Sequence, residues 1–183
     1  MAKCHENKHT DLRLGAPQLP SRPTAYTTRS GLAVAADLQP LPDARRQLDE
    51  LVTQLDEHRG AVFESSYEFP GRYARWTMGF LNPPIAITAN RRTFKVNALN
   101  TRGHVLLAAV HAALRECPAV ATLEADSEDS LCGAVRPIEG TFAEEDRSRQ
   151  NSIFSVVRAV CDLFYNRDEP MLGLYGAFGY DLT

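Results

Sequence analysis

The chain has 183 residues, 44% of them hydrophobic and 23% charged, which suffices for one substantial core and is too little for two large domains. Its formal charge is −3, and its basic residues are scattered apart from Arg45-Arg46 and Arg91-Arg92, so no general attraction to nucleic acid is expected. No apolar run approaches the roughly 18 residues that a membrane-spanning helix needs, and the start, MAKCHENKHTDLRLG, lacks the apolar stretch of a secretory signal.

Residues 1–23 are polar and carry Pro17, Pro20 and Pro23, so they read as a disordered leader ahead of a folded region spanning 24–183. AYTTRSGLAVAADL, at 25–38, reads as two short strands turning at Ser30-Gly31. Pro40 and Pro42 end that unit. Asp43 is placed to cap a helix reaching about Arg59, with Leu48, Leu51, Val52 and Leu55 on one face and Gly60 as its stop. Short strands follow at 61–65, 75–80, 85–88 and 94–99. They are separated by the turn signals Asn82-Pro83-Pro84 and Asn90-Arg91-Arg92, a spacing that predicts an antiparallel meander.

Gly103 opens an apolar-faced helix over 105–117, which Pro118 ends. Residues 127–140 are polar and then strand-like. The sequence TFAE at 141–144 matches a capping box and predicts a short charged helix. Ser152 is placed to cap a further helix to about Tyr165, with Ile153, Val156, Val157, Val160, Leu163 and Phe164 as its apolar stripe. LGLYGAF, at 172–178, reads as a last strand whose glycines, with Gly179, leave room for another backbone. The fold class expected is α+β: a mainly antiparallel sheet with the helices packed mostly on one face.

No catalytic constellation assembles from these residues. The five histidines are dispersed, with His5 and His9 in the leader, His58 at a helix end, and His104 and His111 on one helix. There is no G-x-S-x-G and no phosphate loop. Cys4, Cys117, Cys132 and Cys161 form no C-x-x-C pair, so neither a disulfide framework nor a zinc site is expected, and a reduced, cytoplasmic setting fits. Cys4, His5 and His9 are too few ligands in a polar tail to make a metal site.

A binding reading is easier to build. Glu64, Ser65, Arg72, Arg75 and the single tryptophan, Trp76, fall within residues 64–76. An amino acid ligand needs an acceptor for its ammonium, a cation for its carboxylate and an apolar surface for its side chain. Either arginine can serve as the cation.

AYTTRSGLAV, FESSYEFPGRYARWTMGFLNPPIAIT, FKVNALNTRG, SIFSVVRAVCDLF and LGLYGAFGYDL, in that order from Tyr26 to Leu182, resemble the amino-terminal region of anthranilate synthase component I. The form most similar is the bacterial one fused to its glutamine amidotransferase. The resemblance implies a regulatory and scaffolding part of an enzyme that converts chorismate and glutamine or ammonia to anthranilate, on the route to tryptophan. It also implies that this part carries some of the tryptophan feedback site. The L-L-E-S element of that family corresponds to Val62-Phe63-Glu64-Ser65. Its G-R-Y-S element corresponds to Gly71-Arg72-Tyr73-Ala74, with alanine in place of serine. Glu64 and Ser65 are thereby assigned to the ligand's ammonium end, and Arg72 to the basic role, with Arg75 as the alternative.

An N-P-x-x-Y-M element from the family's chorismate- and magnesium-binding domain does not occur, and Asn82-Pro83-Pro84 lies between early strands. No cofactor is therefore expected in this chain, and magnesium is expected only in that further domain. Partners expected are tryptophan, bound weakly unless the pocket is completed, and separate anthranilate synthase catalytic and glutamine amidotransferase chains. The alternatives are a stand-alone amino-acid-binding module, a non-functional remnant, or an unrelated small enzyme on the same sheet.

Overall fold

A computed structural model of the chain describes residues 25–37, 39–65, 69, 76–138, 140, 145, 150–167, 169 and 172–179. The fold is α+β. Eleven elements are described: β1 (Ala25–Thr27), β2 (Ala33–Ala35), α1 (Ala44–Gln54), β3 (Gly60–Ser65), β4 (Trp76–Leu81), β5 (Ile85–Asn90), β6 (Thr93–Ala98), α2 (Thr101–Glu116), β7 (Val120–Ser127), β8 (Ser130–Val135) and α3 (Ile153–Phe164).

The strands form three antiparallel sheets rather than one meander: β1-β2, β3-β4 and β5-β6-β8-β7. The break falls between β4 and β5. Asn82 takes φ 50°, and Pro83 and Pro84 have no N–H to offer a ladder, so the chain leaves one sheet before it enters the next. After β6, α2 carries the chain to the far edge of the four-stranded sheet. β7 then lies there, and β8 returns to fill the place beside β6. β7 falls in a stretch, VATLEADS, whose polar residues mask its strand character in the sequence.

The core lies on one face of this four-stranded sheet. Phe94 and Val96 on β6, and Leu131 and Val135 on β8, alternate onto that face. Leu107, Val110 and Leu114 of α2 and Ile153, Val156, Val160 and Leu163 of α3 complete the cluster. Val96, Val110, Leu114, Val156 and Val160 have no exposed surface. The opposite face carries Thr93, Lys95 and Asn97 on β6, and Lys95 Nζ donates to Asp126 Oδ2 of β7 at 2.7 Å. That pair holds the Lys95 ammonium above its ordinary pKa and the Asp126 carboxyl below its own, through a shared hydrogen bond and opposite charge. Both groups are exposed, so solvent screens the pair.

The helix ends have identifiable causes. Asp43 Oδ1 accepts from Arg46 N at 3.3 Å and caps α1. α1 ends at Gln54, short of Arg59, because Asp56, Glu57 and His58 extend no apolar face. Asn100, not Gly103, caps α2, its Oδ1 accepting from Gly103 N at 3.2 Å. Asn100 Nδ2 also donates to Pro83 O, and Arg102 Nη2 to Asn82 O, which ties the start of α2 to the β4–β5 turn. Ser152 stands at the N-cap of α3, its N–H donating to Ser155 Oγ at 3.3 Å.

The β1–β2 turn closes the other end of α3. Arg29 N donates to Tyr165 O at 2.8 Å and the Ser30 hydroxyl donates to Leu163 O, so both carbonyls at the helix terminus are satisfied. The capping box at 141–144 and the leader lie outside the described residues. The expected last strand does not form: the described residues 172–179 belong to no ladder.

Candidate functional site

The candidate binding residues sit at one end of the β3-β4 sheet. Its register pairs Ser65 with Trp76, Glu64 with Thr77, Phe63 with Met78 and Ala61 with Phe80. Residues directly opposite share a face, and neighbours along a strand alternate. Phe63, Ser65, Trp76, Met78 and Phe80 therefore line one face. Val62, Glu64, Thr77, Gly79 and Leu81 line the other.

The two faces are covered differently. Leu51 and Leu55, at the end of α1, lie against Gly79 and Gly60 on the second face. On the first face the rings of Phe63 and Phe80 have centroids 6.5 Å apart. Tyr175 leans on both, at 6.1 and 5.9 Å, tilted 41° and 44°. That three-ring contact joins positions more than ninety residues apart, and the sequence carries no signal for it beyond an aromatic in a glycine-spaced run.

Glu64 and Ser65 are thus consecutive on β3 but on opposite faces. Glu64 is exposed, and Ser65 is half-buried on the aromatic face beside Trp76, which is 50% exposed. A single ligand meets both only at the strand's end, where β3 and β4 terminate together. Arg72 and Arg75, the proposed basic members, lie outside the described residues. What the described residues bring together is a hydroxyl, an indole, the Met78 thioether and a carboxylate just around the strand edge. That set suits an aromatic or apolar amine and holds no nucleophile with a base.

Other candidates carry less. A surface depression lies at Asn90, Arg91, Arg92 and Thr93 on the β5–β6 turn, with no acid, base or nucleophile converging on it. Arg92 Nη1 is already used there, donating to Arg136 O and to Asn151 O. His104 pairs with Asp129 across 3.2 Å on the surface. Among the described residues no group of three histidine, cysteine or acidic side chains is placed to hold a metal ion, and no helix is long and apolar enough to cross a membrane. Cys117, Cys132 and Cys161 are free thiols. Burial raises the Cys161 pKa above its ordinary value.

Comparison with known proteins identifies two relatives. The chain is 46% identical over 170 residues to the anthranilate synthase of Azospirillum brasilense, a match covering 93% of this chain and 23% of that protein. It is 23% identical over 156 residues to anthranilate synthase component 1 of Haemophilus influenzae, covering 85% of this chain and 29% of that protein. The chain thus spans about a quarter of the length of the curated relatives it matches. No family model matches the chain, and no solved structure gives a significant match.

Proposed function

The chain is a homologue of anthranilate synthase, and on that premise we propose that it is the regulatory and scaffolding part of such an enzyme, with a role in tryptophan biosynthesis. The observation that carries this reading is the combination of extents. The similarity runs over nearly all of this chain and over only a quarter of the longer relative. The conversion of chorismate to anthranilate is assigned to the remaining portion of the enzyme, and this chain alone is not catalytic.

Part of the tryptophan feedback site is assigned to the end of the β3-β4 sheet. Ser65 and, around the edge, Glu64 receive the ligand's ammonium group. The Trp76–Met78 surface meets its indole, and Arg72, or alternatively Arg75, meets its carboxylate. Among the described residues of the site, Trp76 is half exposed and Glu64 faces solvent. Completion by a further polypeptide is therefore part of the proposal, and tryptophan binds the isolated chain only weakly. A stand-alone amino-acid-binding module would instead hold tryptophan unaided. Titration calorimetry separates the two, because a Kd below ~10 μM, about −7 kcal/mol, for the chain alone would favour the module.

The test of function is co-expression with a separate polypeptide carrying the rest of the Azospirillum brasilense enzyme. The account expects anthranilate formation from chorismate and ammonia that tryptophan inhibits. Ser65→Arg is expected to keep the activity and lose the inhibition. A pair that associates and yields anthranilate insensitive to tryptophan would remove the regulatory assignment.

A further inference from the structure

The aromatic face of the β3-β4 sheet has three levels, counted inward from the end where both strands stop. Ser65 stands opposite Trp76, then Phe63 opposite Met78, then Ala61 opposite Phe80. Each level is two residues on from the last, a step of about 7 Å along the strand. Tyr175 covers the inner part of this face. Its ring centroid is 6.1 Å from that of Phe63 and 5.9 Å from that of Phe80, and those two are 6.5 Å apart. The three rings thus close a nearly equilateral cluster over the second and third levels. Ser65 and Trp76 lie outward of the cluster, and Met78 borders it.

Tyr175 is anchored on both sides along the chain. The backbone of Leu174 meets the Cys161 thiol of α3, and the Phe178 ring lies on Phe154 of α3 with centroids 5.0 Å apart. A ring tethered in this way is a fixed wall rather than a swinging lid. Tyr175 is still 37% exposed, so it has surface to offer a ligand. An amino acid bound with its ammonium at Ser65 and Glu64 sends its side chain inward, over Trp76 and Met78 and toward Tyr175. Only one step of about 7 Å separates the outer level from Phe63, and aromatic rings pack with centroids about 4.5–7 Å apart. One ring system fits between the ammonium end and Tyr175, and a second in line with it meets the wall.

We propose that Tyr175 is a specificity-determining residue of this site. Its ring is the inner wall that admits an amine carrying one aromatic ring system and rejects a longer one. The assignment rests on the proposed function for the ligand's orientation, with the ammonium at the strand end.

The wall is built from this chain's own residues, so the full chain is the sample. Trp76 is its single tryptophan, and the indole N–H gives one resonance in the isotope-labelled protein. Tryptophan and 5-benzyloxytryptophan, which carries a second ring beyond the indole, are each titrated to about 5 mM so that weak binding is captured. The parent is expected to bind tryptophan at least about tenfold more tightly than the longer analogue. Tyr175→Ala is expected to cut that preference by about tenfold. Tyr175→Leu, which keeps apolar cover on Phe63 and Phe80 without a ring, is expected to do the same and carries the test if the alanine variant does not fold. Tyr175→Phe keeps the ring and is expected to keep the preference, and Ser65→Arg is expected to remove the response to both ligands. A parent that binds both ligands equally, or a preference that Tyr175→Ala and Tyr175→Leu leave unchanged, would overturn the role of Tyr175 while Ser65-dependent tryptophan binding upholds the site. Loss of preference in Tyr175→Phe equal to that in Tyr175→Ala would assign the selection to the hydroxyl and refute the wall. No saturable response to tryptophan, or one that Ser65→Arg leaves intact, would overturn the site itself and the role of Tyr175 with it.

Discussion

Replacing Gly103 by alanine pits two effects of opposite sign against each other, and the geometry decides between them. In an unobstructed helix interior the change stabilises by about 1 kcal/mol. In α2 the new Cβ would stand 2.1 Å from Pro84 O, 3.0 Å from Ala98 Cα and 3.1 Å from Ala98 Cβ. A backbone carbonyl cannot swing aside as a side chain can. Restoring an ordinary contact of 3.4 Å therefore moves the helix start away from the β4–β5 turn by more than about 1 Å. That displacement pulls on Asn100, which caps Gly103 N, and on the 2.8 Å hydrogen bonds from Leu99 N to Pro84 O and from Arg102 Nη2 to Asn82 O. Overpacking costs about 1–3 kcal/mol and a weakened cap about 1 kcal/mol. After the helix-propensity gain is subtracted, Gly103→Ala destabilises by about 1–3 kcal/mol. For a domain of this size that lowers the melting temperature by about 2–4 °C per kcal/mol. Urea unfolding followed by far-ultraviolet circular dichroism measures the change, and Ala108→Gly on the exposed face of α2 calibrates propensity by itself. A Gly103→Ala chain as stable as the parent, or more so, would refute the close packing of α2 on the β4–β5 turn.

Leu114→Ala, at a position with no exposed surface, is expected to cost about 2–5 kcal/mol in the same unfolding assay. Val52→Ala on α1, 48% exposed, is expected to stay within about 0.5 kcal/mol. Equal costs would show that α1 and the β3-β4 sheet hold a core of their own. Burial raises the Cys161 pKa, so its thiol is expected to react with a disulfide reagent at pH 8 more slowly than a small-molecule thiol. The raised folded pKa also means that Cys161 favours the native state below the unfolded value of 9.0. This contribution fades as pH rises above 9.0 toward the folded pKa. Cys161→Ser should flatten that alkaline limb, and an unchanged limb would contradict the assignment to Cys161.

Much of the fold was legible because its signals are local. The apolar stripe of α3 and the Asp43 cap of α1 both stand in the sequence and in the structure. The β3 and β4 strands were legible too, but not their separation from β5 and β6. Hydrophobic alternation says that a strand exists; it does not say which sheet receives it. The two prolines after Asn82 were visible as a turn, and their lack of N–H groups is what made the turn a break. β7 escaped notice because Glu124, Asp126 and Ser127 dilute its apolar pattern at an edge where one side faces water. LGLYGAF reads as a strand by composition, whereas the described residues 172–179 are assigned to no strand and Tyr175 lies on the rings of Phe63 and Phe80.

The candidate site was legible as a cluster in sequence and not as an arrangement in space. Placing Glu64 and Ser65 together follows from their adjacency, whereas strand alternation turns them to opposite faces. The partnership of Ser65 with Trp76 depends on register, which the intervening loop conceals. Tyr175 completes the aromatic face from a distant part of the chain, a contact that only the fold creates.

The central proposal is that this chain is the regulatory part of an anthranilate synthase. Its most direct test is anthranilate formation from chorismate and ammonia by the chain co-expressed with the rest of a fused anthranilate synthase, with tryptophan titrated in. The account predicts activity only when both polypeptides are present, inhibition by tryptophan, and loss of that inhibition on Ser65→Arg with the uninhibited rate retained. No association and no activity, or activity that tryptophan leaves untouched, would contradict it.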